Sequence, residues 1–229
     1  LLAAGFGTRL RPITNKIPKC LVPIAGKPLL EYWLQNLKNA GITKILINTH
    51  YLSDMVKAFI KESKYSHIVE IINEKELLGT AGTFLSNLDF FDKKDGLLIH
   101  ADNIWDENIQ NLVNCYKKRP SSTILTMLSF RSNSPETCGI IKINKKKILI
   151  DYEEKPNNPF SNLANGAVFV LSPEFQYEIK LEKLNGNDFC KDIIPKFIGR
   201  INVYETKNFF IDVGSIKSYL KANCFFKSK

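Results

Sequence analysis

Along the first 130 residues, short apolar runs alternate with segments whose apolar positions recur every three or four residues. The runs are "KILIN" (44–48), "HIVEII" (67–72), "GLLIH" (96–100) and "STILTMLSF" (122–130). Each is nearly continuous in apolar character and is followed by polar residues, the pattern of a central strand buried on both faces. Between them, Leu30, Trp33, Leu34 and Leu37 repeat at i, i+3, i+4 and i+7 behind Pro28, and Gly41 closes that helix. A second helix is predicted from Ser53, as its N-cap, through Met55, Val56, Phe59 and Ile60. A third covers about 106 to 118, with Ile109, Leu112, Val113 and Tyr116 on one face.

Strand alternating with helix predicts a parallel, doubly wound sheet, in which ligands sit beyond the carboxyl ends of the strands. That rule puts the glycine loop after the opening run, the residues after Asn73 and the residues after His100 on one rim. The middle of the chain changes character, because "CGIIKIN" (138–144), "KKILIDYEE" (146–154) and "GAVFVLS" (166–172) are separated by turn residues, with Lys145 to Lys147 as a hairpin turn. After Pro173 come helical stretches, including one near 187 to 198 carrying Phe189, Ile193, Ile194 and Phe197. Strands "INVYE" and "NFFIDV" and a closing helix from Ser215 to about Phe225 complete the chain. The expected fold is α/β and Rossmann-like: a mixed, mainly parallel sheet with helices on both faces and an antiparallel extension in the second half. No linker, repeat or low-complexity run interrupts it, so residues 1–229 are expected to form a single domain.

Composition narrows the class. Apolar residues at 44% and charged residues at 24% are ordinary for a globular protein. No run approaches the roughly 18 apolar residues of a membrane span, and no cleavable leader is visible, so the expectation is a cytoplasmic protein without a membrane partner. The chain starts at Leu1, not Met, with the opening strand beginning part-way through, so a few preceding residues are expected. Cys20, Cys115, Cys138, Cys190 and Cys224 are scattered and never form a C-x-x-C pair, and His50, His67 and His100 are dispersed. That argues against a zinc site or disulfide framework and for reduced thiols. The net charge of +9 raises nucleic acid as a partner. The excess is mostly dispersed lysine, however, with arginine only at Arg9, Arg11, Arg119, Arg131 and Arg200. A solvated face and an anionic small substrate fit better, and no nucleic-acid partner is expected.

The candidate chemistry lies in "LLAAGFGTRLRPITNKIPKCLVPI" (1–24). It is not the dinucleotide fingerprint, since Leu10 stands where a third glycine is required, and it lacks the G-K-[ST] of a P-loop. What remains is a loop in which Gly5 and Gly7 allow close backbone approach to an anion, Arg9 and Arg11 supply permanent charge, and Pro12 and Pro18 stiffen the path to Lys19.

"LAAGFGTRLRPITNKIPKCLVPIAGKPLL" resembles the signature of the sugar-phosphate nucleotidyltransferases, and the resemblance continues through "ELLGTAG" (76–82), "ADN" (101–103), "CGI" (138–140), "EKP" (154–156), "LAN" (163–165) and "FFIDVG" (209–214). It implies an enzyme that joins a nucleoside triphosphate to a sugar 1-phosphate with Mg²⁺, giving pyrophosphate and a nucleotide sugar for glycan precursors such as capsule or lipopolysaccharide. The same resemblance makes residues 1–130 the nucleotide-binding half and 131–229 the sugar-phosphate half. Ala3, Ala4, Gly5, Gly7, Thr8 and Arg9 would hold the triphosphate, with Lys19 beside the α-phosphate, and Arg9, Lys19 and Asp102 would be catalytic. Glu76, Leu78, Gly79 and Thr80 match the base and ribose contacts. Asp102 and Asp212 match the metal carboxylates, and Gly139, Glu154, Lys155 and Asn165 match contacts to the sugar phosphate.

Two positions depart from the pattern. Ala101 precedes Asp102 where glycine is usual, and Gly166–Ala167 follows Asn165 where a small residue and then glycine are usual. Both bear on the sugar fit more than on the chemistry.

The resemblance looks closest to guanylyltransferases acting on mannose or heptose phosphates. Uridylyl, thymidylyl and cytidylyl transfer, a choline-type acceptor, a non-catalytic binding homologue and a homo-oligomer all stay open. A phosphate monoester is already ionised near neutral pH, with a second pKa of about 6, so no general base is needed. His50 and His100 are therefore expected to be rim or packing residues.

Overall fold

The computed structural model describes residues 1–182 and 186–229. Its strands are β1 (Pro23–Ile24), β2 (Lys27–Pro28), β3 (Ile45–Thr49), β4 (Val69–Asn73), β5 (Gly96–Ile99), β6 (Asn103–Trp105), β7 (Leu125–Arg131), β8 (Gly139–Ile143), β9 (Leu149–Glu154), β10 (Leu163–Leu171), β11 (Ile201–Glu205) and β12 (Phe210–Asp212). The helices are α1 (Leu29–Asn39), α2 (Ser53–Glu62), α3 (Gly79–Ser86), α4 (Gln110–Lys117), α5 (Pro173–Leu181) and α6 (Ile216–Lys227). The chain divides into two compact units. One comprises Leu1–Leu77, His100–Ile109 and Phe209–Lys229; the other comprises Leu78–Ile99 and Gln110–Asn208. Among the described residues no helix is long and apolar enough to cross a membrane.

In the first unit, Leu2 bridges in parallel to both Asn48 and His100, and β3 pairs in parallel with β4. The glycine loop, the residues after Asn73 and the residues after His100 therefore leave adjacent strands in the same direction, and the rim predicted from the pattern is formed. Helix α1 buries the predicted stripe of Leu30, Trp33, Leu34 and Leu37, and the Trp33 indole donates to the Asn103 carbonyl at 2.7 Å. Helix α6 begins on a capping box between Ser215 and Ser218, and behind it Leu10, Ile24, Leu29, Ile104, Val213 and Ala222 form an apolar core.

Three details of this unit differ from the pattern. Leu52, in the left-handed region at φ 51°, is the N-cap of α2, and Ser53 is its first helical residue and caps nothing. None of the five residues of β4 is fully buried. The helix expected from 106 starts only at Gln110, because residues 106–109 find other partners. The Asp106 N–H bonds the Phe209 carbonyl at 2.9 Å, and the Asn36 side chain takes the Ile109 N–H at 2.9 Å and the Glu107 carbonyl at 2.7 Å.

The second unit carries a sheet in the order β11-β7-β10-β8-β9, with β5 also paired to β10. β7 and β11 run parallel and the other pairs antiparallel, giving the mixed α/β fold with the antiparallel extension read from the sequence. The predicted turn at 145–147 forms, with the Asn144 side chain accepting from the N–H groups of Lys146 and Ile148 at 2.9 and 3.0 Å. The stretch near 187–198 is a π turn (Phe189–Ile193) followed by a 3₁₀ turn (Ile194–Phe197), since Pro195 cannot continue a helical ladder. Its predicted apolar residues are nonetheless buried, with Phe189 against Phe84 and Phe169 at 5.2 and 5.1 Å between ring centres.

Candidate active site

In the first unit the glycine loop turns at Gly7, whose φ is 63°. A Cβ there would lie 2.9 Å from Thr14 Cγ2 and 3.1 Å from Lys19 Cβ, so both conformation and space demand glycine. The Thr14 hydroxyl donates to the Gly7 carbonyl at 2.7 Å and ties the loop to the segment that delivers Lys19. Asp102 sits in the link between His100 and β6, and Asp212 ends β12. Antiparallel pairing sets Asn103 opposite Asp212, and the Val213 N–H bonds the Asp102 carbonyl at 2.9 Å, which brings the two carboxylates side by side. The buried Lys19 ammonium donates to Asp102 Oδ2 at 2.6 Å and to Asp212 Oδ1 at 3.3 Å. Arg9 Nη2 lies 3.8 Å from Asp212 Oδ2. Four residues widely separated in sequence thus form one charged knot.

Burial works against the Lys19 ammonium, but Asp102 and Asp212 outweigh it and raise its pKa. Burial likewise works against the Asp102 carboxylate, yet the Lys19 charge holds it below its ordinary range. Asp212 moves the other way, raised by burial and by the Asp102 charge beside it. Its side chain is 47% exposed against 37% for Asp102, which makes it the more open member of the pair. Gly214 keeps that opening: a Cβ there would fall 2.8 and 3.0 Å from the Asp212 carboxylate oxygens and 2.9 Å from Arg9 Nη2.

Two polar residues beside the loop carry no signal in the pattern. Asn48 accepts from the Ala3 N–H at 2.7 Å and donates to Glu74 Oε1 at 2.9 Å, which anchors the backbone just ahead of the glycines. Glu74, buried just past the end of β4, is the carboxylate missed, because nothing in the apolar pattern marks it. His50 is a rim residue, its Nδ1 paired with the Glu74 carbonyl at 2.8 Å and its ring edge-on to Phe6. Glu76 is exposed.

In the second unit Leu78 precedes α3. Gly79 has φ 71°, and a Cβ there would meet the Asn187 carbonyl at 2.1 Å. Thr80 Oγ1 accepts from the Phe189 N–H at 2.8 Å, so this motif also serves packing. Gly139 lies opposite Glu154 in the β8–β9 ladder, and Lys155 Nζ is 3.1 Å from Glu154 Oε1. Asn165 donates to Cys190 Sγ at 3.2 Å and accepts from the Ala167 N–H at 2.8 Å. Ala167 has φ 52°, the backbone conformation that glycine adopts without strain, so the inverted Gly166–Ala167 order leaves strain at a bulge of β10. Tyr152 and Cys190 adjoin these residues and were not singled out by the sequence. All five cysteines are free.

The family model for nucleotidyl transferase matches residues 1–229. The chain belongs to the nucleotidyl transferase family. Among curated members of related sequence, the glucose-1-phosphate adenylyltransferase of Thermotoga neapolitana is 29% identical over 97% of this chain and 59% of its own length. The mannose-1-phosphate guanyltransferase of Aspergillus oryzae is 28% identical over 99% of this chain and 63% of its own length. This nucleotidyl transferase chain therefore spans about three-fifths of the curated relatives it matches. A crystal structure of a provisionally assigned glucose-1-phosphate thymidylyltransferase from Bacillus anthracis, in complex with a sucrose, superposes with a TM-score of 0.87. It is 24% identical, with 100% of this chain and 94% of that one covered, and the fold is shared.

Proposed function

We propose that this chain transfers a nucleotidyl group from a nucleoside triphosphate to a sugar 1-phosphate, releasing pyrophosphate and a nucleotide sugar. The observation that carries the reading is the knot of Lys19, Asp102 and Asp212, with Arg9 beside it, at the mouth of a glycine loop. Two polyanions must approach each other in such a reaction, so the protein's task is positioning and charge neutralisation. Backbone N–H groups from Ala4 to Thr8 donate to phosphate oxygens, while the Ala3 N–H, already bonded to Asn48, holds the loop in place. Arg9, as a fork, and Lys19, as a compact charge, offset the negative charge that grows on the departing pyrophosphate. No side chain needs to remove a proton, because the attacking phosphate is already ionised.

The residues present fit Mg²⁺. Two carboxylates already converge on one cation, and Mg²⁺ is usually held by one or two carboxylates with substrate phosphates and water completing its shell. Asp102 and Asp212 would hold the ion, which when bound supplies Lewis-acid neutralisation of the phosphates.

In the second unit Glu154, Lys155, Asn165 and Gly139 take the sugar phosphate; Leu78, Gly79 and Thr80 of that unit and Glu76 of the first are the residues read for the base and ribose. GTP with a mannose- or heptose-type 1-phosphate is the favoured pair, supported by "ELLGTAG" and "FFIDVG" and by relatives named mannose-1-phosphate guanyltransferase. The substrates would be drawn from the cytoplasm. The test is pyrophosphate release with Mg²⁺ from GTP, ATP, UTP, CTP and TTP against mannose, heptose and glucose 1-phosphates and choline phosphate. GTP with mannose or heptose 1-phosphate is expected to be fastest. Silence from folded protein across the panel would overturn the reading, and release with choline phosphate alone would move the acceptor out of the sugars.

A further inference from the structure

Tyr152 stands two residues before Glu154 on β9, so both side chains leave the same face of the strand. The Tyr152 hydroxyl donates to Glu154 Oε2, and Lys155 Nζ holds Oε1 at 3.1 Å. Both carboxylate oxygens are therefore gripped by the chain itself. Gly139, opposite Glu154 in the ladder, leaves the space for this: a Cβ there would fall 2.2 Å from the Tyr152 hydroxyl and 2.7 Å from Glu154 Oε2. Lys155 reaches back to its neighbour because its backbone is left-handed, at φ 49°, which breaks the alternation of the strand. Burial, with Cys190 and Glu154 nearby, pushes the Tyr152 phenol well above its ordinary pKa, so the hydroxyl keeps its proton and remains the donor.

We propose that Tyr152 is a positioning residue of the acceptor subsite, whose hydroxyl fixes the Glu154 carboxylate so that its remaining lone pairs accept from neighbouring hydroxyls of a sugar ring. The proposal rests on the reading of Glu154 as a residue that faces the sugar phosphate. An ionised carboxylate can accept about four hydrogen bonds. Tyr152 and Lys155 use one on each oxygen, and what is left suits two adjacent hydroxyl donors. A choline-type acceptor offers no such donors, and its positive charge would meet a carboxylate already neutralised by Lys155.

The test compares wild type and Tyr152→Phe, which keeps the ring and removes the hydroxyl, using pyrophosphate release with the preferred sugar 1-phosphate and its monodeoxy analogues. KM for the sugar 1-phosphate should rise about tenfold, the scale of a lost hydrogen bond to a charged group. The kcat should fall less than about threefold, and KM for the triphosphate should not move. Wild-type discrimination against the deoxy sugar lacking the Glu154-bound hydroxyl should shrink by about the same tenfold. Glu154→Gln should lose that discrimination too, and the double variant should be no worse than Glu154→Gln alone. Losses that add in the double variant, or KM values for both substrates rising together with discrimination intact, would overturn the positioning role. An active wild type with an unaltered Tyr152→Phe variant overturns this inference alone; a wild type silent on every sugar 1-phosphate overturns the function on which it rests.

Discussion

The ammonium of Lys19 and the carboxylate of Asp102 meet at 2.6 Å although 83 positions separate them in sequence. Lys19→Met keeps the length of the stem and removes the charge, leaving Asp102 and Asp212 to repel each other. Loss of one partner of a buried pair costs about 3–5 kcal/mol, and partial exposure of both carboxylates should reduce this to about 1–3 kcal/mol. Turnover should drop at least a hundredfold, roughly the effect of deleting one preorganised charge at a transition state. Urea unfolding and pyrophosphate release check the two effects separately. A variant with turnover within threefold of wild type would take Lys19 out of the chemistry.

The same knot sets a pH response whose sign can be worked out. Asp102 is held below its ordinary 3.8, so its contribution to stability is present above that value and lost as pH falls through the lower folded value. Asp212 is raised above 3.8, so ionising it costs stability as pH rises from 3.8 to its folded value. Lys19 is raised above 10.5, and its contribution is present below 10.5 and lost above it, as pH passes the folded value. In urea titrations, the advantage of wild type over Asp102→Asn should narrow as pH drops below about 4. Asp212→Asn should gain on wild type as pH rises above 3.8 and through the raised folded value of Asp212. Differences flat with pH would mean that neither carboxylate contributes to the acid response.

Local signals made much of this legible. The period of α1, the closing helix beginning at about Ser215 and the turn at 145–147 each depend on residues a few positions apart, and each appears where the sequence puts it. Long-range partners were not legible. The helix expected at 106 fails because Asn36 and Phe209 claim the backbone of residues 106–109. Likewise, β10 lies antiparallel between β5 and β7 although its apolar run reads like theirs. Arg9, Lys19, Asp102 and Asp212 were selected by motif, and their convergence comes from β6–β12 pairing that no spacing reveals. Glu74 and Tyr152 stayed hidden because their partners, Asn48 and Glu154, define them only through side-chain geometry.

Gly214 offers a test that separates site from scaffold. A methyl group added at this position would press on Asp212 and Arg9, two exposed side-chain ends that can move away, so Gly214→Ala should leave the thermal midpoint within a few degrees of wild type. Displacing the carboxylate by a few tenths of an ångström should nevertheless lower kcat about tenfold or more, since phosphoryl chemistry depends on placement. Equal loss of stability and activity would show that the glycine serves packing instead.

Asp102→Asn bears most directly on the carboxylate pair. The amide keeps the shape and can still meet Lys19 through its carbonyl oxygen, but the charge needed for a hard divalent cation is gone. Turnover should fall by about a thousandfold or more at saturating Mg²⁺, whereas binding of the product nucleotide sugar without metal, measured by calorimetry, should weaken less than about tenfold. Mn²⁺ binding followed by its paramagnetic effect on water protons supplies a readout apart from activity, and the variant should bind the ion at least tenfold more weakly than wild type. Unchanged Mn²⁺ affinity together with unchanged turnover would remove Asp102 from both metal and chemistry, and would leave its pairing with Lys19 as a matter of stability alone.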